Sequence, residues 1–242
     1  MDESTQVRVG RACRSWVNVR TAQAVRASAS GRGQEGSRSA VTGGKHLDGF
    51  DQLVQDELIA AGGSGLRFLS GRKATLPGYY RATKSWDLIA LQDDEPILAV
   101  EYKSMQGSEG KNLNNRADEV FGVAEDLRAA EQAGLLASTM RRAYIFVMGI
   151  APESTSPAGV SRVAAGKTDA IFQGASYLER AAIMCERMRS TGLYHLTWTV
   201  GIQEAPFSWS EPRLSVGWDA FAQGISDMFE GGKVKPLPRD EI

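Results

Sequence analysis

Two neighbouring apolar segments constrain this chain more than anything else in it. They are Trp86-Asp87-Leu88-Ile89-Ala90-Leu91 and Ile97-Leu98-Ala99-Val100-Glu101-Tyr102-Lys103, separated by a polar stretch that includes Asp93-Asp94-Glu95-Pro96. Runs this short, bounded by turn formers, read as two strands. Side chains alternate faces along a strand. Asp87, Ile89 and Leu91 therefore share one face of the first strand, and Ile97, Ala99, Glu101 and Lys103 share one face of the second. The opposite faces (Trp86, Leu88, Ala90; Leu98, Val100, Tyr102) are apolar as well. A sheet built from such strands must be covered on both sides.

If the strands form a hairpin centred on Asp94 with a loop of three or five residues, Leu91 faces Ile97, Ile89 faces Ala99 and Asp87 faces Glu101. Directly opposed Cβ atoms are about 4.5–5.5 Å apart. Two carboxylates then meet at the end of an apolar face, with Lys103 one step beyond. A loop of two or four residues would send Asp87 to the other face. Paired carboxylates repel unless a cation sits between them, and hard oxygen ligands suit Mg²⁺, which retains water and accepts phosphate oxygens. A lysine beside them can orient the attacking water and neutralise charge at phosphorus. The constellation suits metal-assisted hydrolysis of a phosphodiester. The competing reading of Asp…Glu-x-Lys is a chance salt bridge on a sheet edge. A fourth acid, Glu57, falls in the apolar stripe of a helix over Leu47–Ala61 (Phe50, Leu53, Val54, Leu58). A glutamate on a buried face needs a partner. A metal, Lys103 or an internal arginine would each serve.

The rest of the chain alternates helices and strands. Helical spacing covers 7–29, a Gly/Ser/Arg-rich loop covers 30–45, and 66–69 reads as a short strand. Leu76–Lys84 reads as a loop. So does 104–114, after which Asn115 caps a helix reaching about Gln132. Ala143–Ile150 is a strand, 151–173 a surface excursion, Tyr177–Ser190 a helix, Tyr194–Gly201 a strand, and 218–229 a helix. This order predicts a mixed α/β layer fold in one domain over 1–242: a basic N-terminal arm (1–45), a catalytic core (46–150), the excursion, and C-terminal helices and strand (174–242). With 242 residues, 42% hydrophobic and 24% charged, the chain can bury such a core. Disordered and disulfide-stapled classes are excluded. Cys13 and Cys185, with His46 and His195, fit no zinc spacing. No run approaches membrane-spanning length and no secretory signal is visible, so a cytosolic location with reduced thiols is expected. The net charge of −1 hides an asymmetry. Residues 1–45 carry eight basic and three acidic residues, the remainder 20 basic and 26 acidic. The basic segment is either a nucleic-acid contact or a solvated helix.

Asp87, Glu101 and Lys103 fit the PD-(D/E)XK nuclease motif, with Trp86 in place of the loosely required proline. The chain more specifically resembles the XhoI family of type II restriction endonucleases. The matching stretches are Val41-Thr-Gly-Gly-Lys-His-Leu-Asp-Gly-Phe50, Leu76-Pro-Gly-Tyr-Tyr-Arg-Ala-Thr-Lys-Ser-Trp-Asp87, Val100-Glu-Tyr-Lys-Ser104, Asn112-Leu-Asn-Asn-Arg116 with Glu119, and Gly174-Ala-Ser-Tyr-Leu-Glu-Arg180. The resemblance implies a restriction-endonuclease-like fold with an added N-terminal helical arm. It implies a homodimeric, Mg²⁺-dependent enzyme that cuts double-stranded DNA at CTCGAG to leave 5′ overhangs, beside a methyltransferase that protects host sites. Asp87 and Glu101 would ligate metal, Lys103 would assist the water, and Glu57 would stand as the helix acid and a further ligand.

Several residues suit DNA contact. Lys111, Asn114, Asn115 and Arg116 can reach base edges, since Arg pairs with guanine and Asn with adenine. Asn115 also suits a helix cap, and Arg116 an ion pair with Glu119 at i, i+3. Arg72, Lys73, Arg81 and Lys84 lead into the first strand as phosphate contacts or plain surface charges. Arg141 and Arg142 allow either role, while Trp198, Trp209 and Trp218 suit a core. Two other functions compete: a repair or resolvase nuclease of the same superfamily that reads DNA structure, and a non-catalytic DNA-binding module.

Overall fold

The computed structural model describes residues 1–29, 45–62, 65–136 and 140–237. Of the expected loop over 30–45, residues 30–44, including Arg32 and Arg38 of the basic segment, lie outside them.

A six-stranded mixed sheet organises these residues in the order β1-β4-β5-β6-β7-β8. Its strands are β1 (Leu66–Ser70), β4 (Leu88–Gln92), β5 (Glu95–Met105), β6 (Arg141–Gly149), β7 (Leu196–Gln203) and β8 (Ser208–Ser210). β4 runs antiparallel to β1 and β5; β5, β6 and β7 are parallel; β8 closes antiparallel on β7. A small hairpin, β2 (Thr75–Pro77) with β3 (Thr83–Ser85), precedes β4, where the sequence reads as a loop.

Both faces of the sheet are covered, as its two-sided apolar strands require. One layer is α1 (Glu3–Ala29), α2 (Asp48–Gly62) and α6 (Trp218–Asp227). It packs Trp16, Phe50, Leu58 and Trp218 against Leu98, Val100, Ile145 and Trp198. The other layer is α3 (Glu109–Gln132) and α5 (Tyr177–Ser190), with the single turn α4 (Pro152–Thr155) leading toward it. Leu113, Val120, Ala124 and Cys185 there meet Ile89, Ala99, Tyr144 and Phe146. α1, the described helix of the expected N-terminal arm, packs on the body. Val9, Ala12, Cys13 and Trp16 of α1 are buried, because an apolar stripe on a helix gains more from the core than from water. Between α4 and α5 the chain is mostly exposed. Among the described residues no helix is long and apolar enough to cross a membrane.

The β4–β5 connection differs from the expected one in an instructive way. The turn has two residues, Asp93 and Asp94, both at positive φ (53° and 67°), between the pair Gln92 and Glu95. Such turns match the twist of a hairpin. An even loop alone would place Asp87 and Glu101 on opposite faces. A bulge at Ile97 restores the parity: Ala90 faces Leu98, but Leu91 faces Pro96 rather than Ile97. One extra residue on one strand reverses the alternation, and Ile89 faces Ala99 as expected.

The segment after β5 also departs from expectation. α3 begins at Glu109, so the expected 104–114 loop is mostly helix, and Asn115 lies inside that helix rather than capping it. Ser108, left-handed at φ 53°, turns the chain into the helix. Gly110 is not a loop residue but a contact residue: a Cβ there would sit 2.7 Å from the Tyr177 hydroxyl of α5.

Candidate active site

The last ladder pair of β4 and β5 is Leu88 with Val100. Asp87 comes immediately before it, and its backbone N–H donates to the Val100 carbonyl (3.2 Å). Its Oδ2 accepts from the backbone N–H of Tyr102 (2.8 Å). Glu101 is buried, and two lysines hold it. Lys103 Nζ donates to its Oε1, and Lys84 Nζ, from β3, donates to its Oε2 (3.0 Å). Lys84 also lies over the Trp86 ring, 5.2 Å from its centroid. Asp87, Glu101, Lys103 and Lys84 thus come together at one place, at the end of the hairpin.

The electrostatics match the proximity. Burial first, and then the negative charge of Glu101, push the Asp87 carboxyl above its usual range, against the Tyr102 N–H and the two lysines. The two lysines balance the two carboxylates in formal charge, and the closeness of Glu101 is the second cause of the Asp87 shift after burial.

Glu57 does not join this group. Its Oε2 accepts from Arg8 of α1 at 3.0 Å, and both side chains are partly exposed. The internal arginine is the partner it finds, because its turn of α2 faces α1. The acid of α2 whose charge reaches Asp87 is Asp51. Its Oδ1 accepts from the Tyr102 hydroxyl (3.1 Å), and burial foremost raises its pKa. Asp51 shares the stripe of Val54 (i+3) and Leu58 (i+7), so the helical spacing that singles out Glu57 marks Asp51 as well. Among the described residues no group of three or more His, Cys, Asp or Glu is arranged to hold a metal ion. The acids that converge with Lys84 and Lys103 are two, Asp87 and Glu101.

Of the expected DNA-contact residues, Lys84 of β3 is in the cluster with Glu101, and Lys111, Asn114, Asn115 and Arg116 lie on α3. Arg116 pairs with Glu119 at 2.5 Å, the i, i+3 alternative. Lys111, Asn114 and Asn115 are exposed on its early turns, and Asn114 lines a cleft shared with Ser161, Phe172, Tyr177 and Arg180. Arg72 and Lys73 are exposed. Arg81 pairs with Asp126 (2.8 Å). Arg142 is buried in an ion pair with Glu131 and donates to the carbonyls of Gly192 and Leu193. Trp198 and Trp218 are core residues, and Trp209 packs against the same cluster. Both cysteines are buried free thiols; burial pushes Cys185 up to about 12, so neither is a nucleophile near neutral pH. Sequence reading also misses the pair of His46 Nε2 and Ser104 Oγ (2.8 Å), one residue beyond Lys103.

Comparison with known proteins gives a consistent result. The family model described as "Restriction endonuclease XhoI" matches residues 26–205, a span that contains every residue of this cluster. The type II restriction enzyme BstVI of Geobacillus stearothermophilus is 36% identical over 168 residues, covering 66% of this chain and 74% of that protein. XhoI of Xanthomonas vasicola is 35% identical over 162 residues, covering 65% of each chain. AbrI of Azospirillum brasilense is 41% identical over 115 residues, 46% of this chain and 51% of that one. The aligned part is thus under two thirds of the XhoI and AbrI lengths. No solved structure matches the chain.

Proposed function

Because the chain belongs to the XhoI restriction endonuclease family, we propose that it is itself a Mg²⁺-dependent type II endonuclease that hydrolyses double-stranded DNA at the Asp87–Glu101–Lys103 cluster, in a fold of the PD-(D/E)XK kind. The observation that carries the reading is the convergence of two carboxylates and two lysines where β3, β4 and β5 meet.

The donor set fits a hard divalent cation. Asp87 and Glu101 offer carboxylate oxygens, and the repulsion between them that adds to burial in raising Asp87 is what a cation would relieve. These two residues would hold it. Mg²⁺ bound there would supply charge neutralisation at phosphorus and a water of lowered pKa. The chain supplies the remainder. The Tyr102 N–H fixes the Asp87 carboxylate, and the Tyr102 hydroxyl ties Asp51 of α2 to the same strand. Lys103 and Lys84 hold Glu101 in place through their ion pairs and bring ammonium groups to where a phosphate must lie. Glu57 has no part in this chemistry. Recognition of CTCGAG with 5′ overhangs, a two-fold dimer that reads the palindrome, and protection of host DNA by a methyltransferase complete the proposal.

The test is incubation with a sequenced plasmid and Mg²⁺, followed by mapping of the ends. Discrete fragments with ends inside CTCGAG support the whole reading. Discrete fragments at another sequence keep the endonuclease and discard the site. Smears or a preference for branched substrates point to a structure-selective nuclease.

A further inference from the structure

The β2–β3 hairpin carries a feature that the chemistry above leaves unused. Its tip presents Tyr79 and Tyr80, 55% and 68% exposed. The rings pack edge-to-face on each other, centroids 5.0 Å apart at 84°, and belong to neither core cluster. The backbone beneath them is anchored. Asp126 of α3 is buried, and its Oδ1 accepts from the N–H groups of both Tyr79 (2.9 Å) and Tyr80 (2.8 Å). Its Oδ2 accepts from Arg81 at 2.8 Å. The chain wraps this carboxylate so closely that a Cβ on Gly78 would lie 2.6 Å from the Arg81 carbonyl and 2.8 Å from Asp126 Oδ2. Burying a charge is costly, and here the charge shapes an exposed loop rather than a core. What it fixes is the position of two aromatic rings in water.

The same hairpin then runs into the active cluster: Lys84, four residues after Tyr80, donates to Glu101. Four residues span at most about 13 Å, and these bend at 80–82, so the separation is no more than roughly four base steps of a duplex. Arg81 and Lys84 follow the rings, ion-paired to Asp126 and Glu101, and such polar surroundings suit a phosphate backbone rather than an apolar protein partner.

We infer that the Tyr79–Tyr80 tip is an aromatic wedge that stacks on bases of the DNA duplex within about four base pairs of the phosphate cut at the Asp87–Glu101 cluster, with Asp126 as its positioning residue. This rests on the endonuclease reading. Aromatic stacking tolerates any sequence and often unstacks a base step, so the wedge deforms the site and holds it in register rather than reading it.

The test uses duplexes carrying 2-aminopurine at successive positions around the cut, with a chelator present so that no strand is broken. The wild type should raise 2-aminopurine fluorescence at one or two adjacent positions. Tyr79→Ala/Tyr80→Ala should abolish that rise and weaken binding at least 5-fold, the effect of losing about 1 kcal/mol of stacking. Tyr79→Phe/Tyr80→Phe should retain both. Asp126→Ala should move in the direction of the double alanine variant although it keeps the rings. An alanine variant that binds and reports like the wild type overturns the inference. So do phenylalanine variants as weak as the alanine ones, which would make the contact a hydroxyl–phosphate bond. An alanine variant with unchanged affinity but altered mass by light scattering would make the pair a contact between copies, and also overturns it. A wild type that neither binds nor cuts any duplex sinks the endonuclease reading itself; the outcomes above, in a protein that cuts normally, sink the wedge alone.

Discussion

At the scale of single residues, acids of similar appearance in the sequence have different fates. Glu57 and Asp51 both sit on α2, yet one pairs with Arg8 and the other with Tyr102. Glu57→Ala should lower stability by up to about 1 kcal/mol, as expected for a partly exposed ion pair, and leave cleavage per folded molecule unchanged. Parallel melting curves and cleavage rates check this. His195 gives a pH signature. Burial first, and then Arg142 and Arg141, lower its pKa to about 3, and its Nδ1 accepts from the Arg142 N–H. The unfolded chain therefore binds a proton below pH 6.5 that the folded chain refuses. Stability contributed by neutral His195 is full above that pH and is lost as the pH falls toward 3. Between pH 7 and 5 the loss should be about 2 kcal/mol. His195→Asn, which can still accept from Arg142, should lose correspondingly less in urea melts over the same range. Equal losses in the two proteins would show that His195 does not carry this dependence.

At the scale of elements, the strands were legible because alternation and apolar content are local properties. The covered faces follow from the pattern alone. The hairpin's parity does not. It depends on a two-residue turn compensated by the bulge at Ile97, two departures that cancel. The onset of α3 was illegible for a different reason: Gly110 looks like a loop residue until Tyr177 of a distant helix is in place. Asp51 was as legible as Glu57; what separates them is which helix or strand each face meets. Long-range partners also decide Arg142, whose guanidinium joins the C-terminal end of α3 to the loop before β7. Glu131, raised by burial even with Arg142 beside it, would be left as an unpaired buried charge in Arg142→Met. That variant should lose about 3–5 kcal/mol, and less at pH 5 than at pH 8, since protonation of Glu131 removes the stranded charge. Denaturant melts at both pH values measure this.

At the scale of the whole molecule, a basic segment whose first half is a core helix is joined to an acidic body. DNA affinity must then come from local cation groups rather than from a global field. The central claim is that the Asp87–Glu101–Lys103 cluster, and not the Arg8–Glu57 pair, cuts DNA. The most direct measurement compares Asp87→Ala, Glu101→Ala, Lys103→Ala and Glu57→Ala on one plasmid with Mg²⁺, each protein first shown folded by circular dichroism. The first three should lose cleavage by orders of magnitude, with Asp87→Ala still binding DNA, and Glu57→Ala should cut at the wild-type rate. Full activity in Asp87→Ala or Glu101→Ala, or its loss only in Glu57→Ala, would contradict the claim.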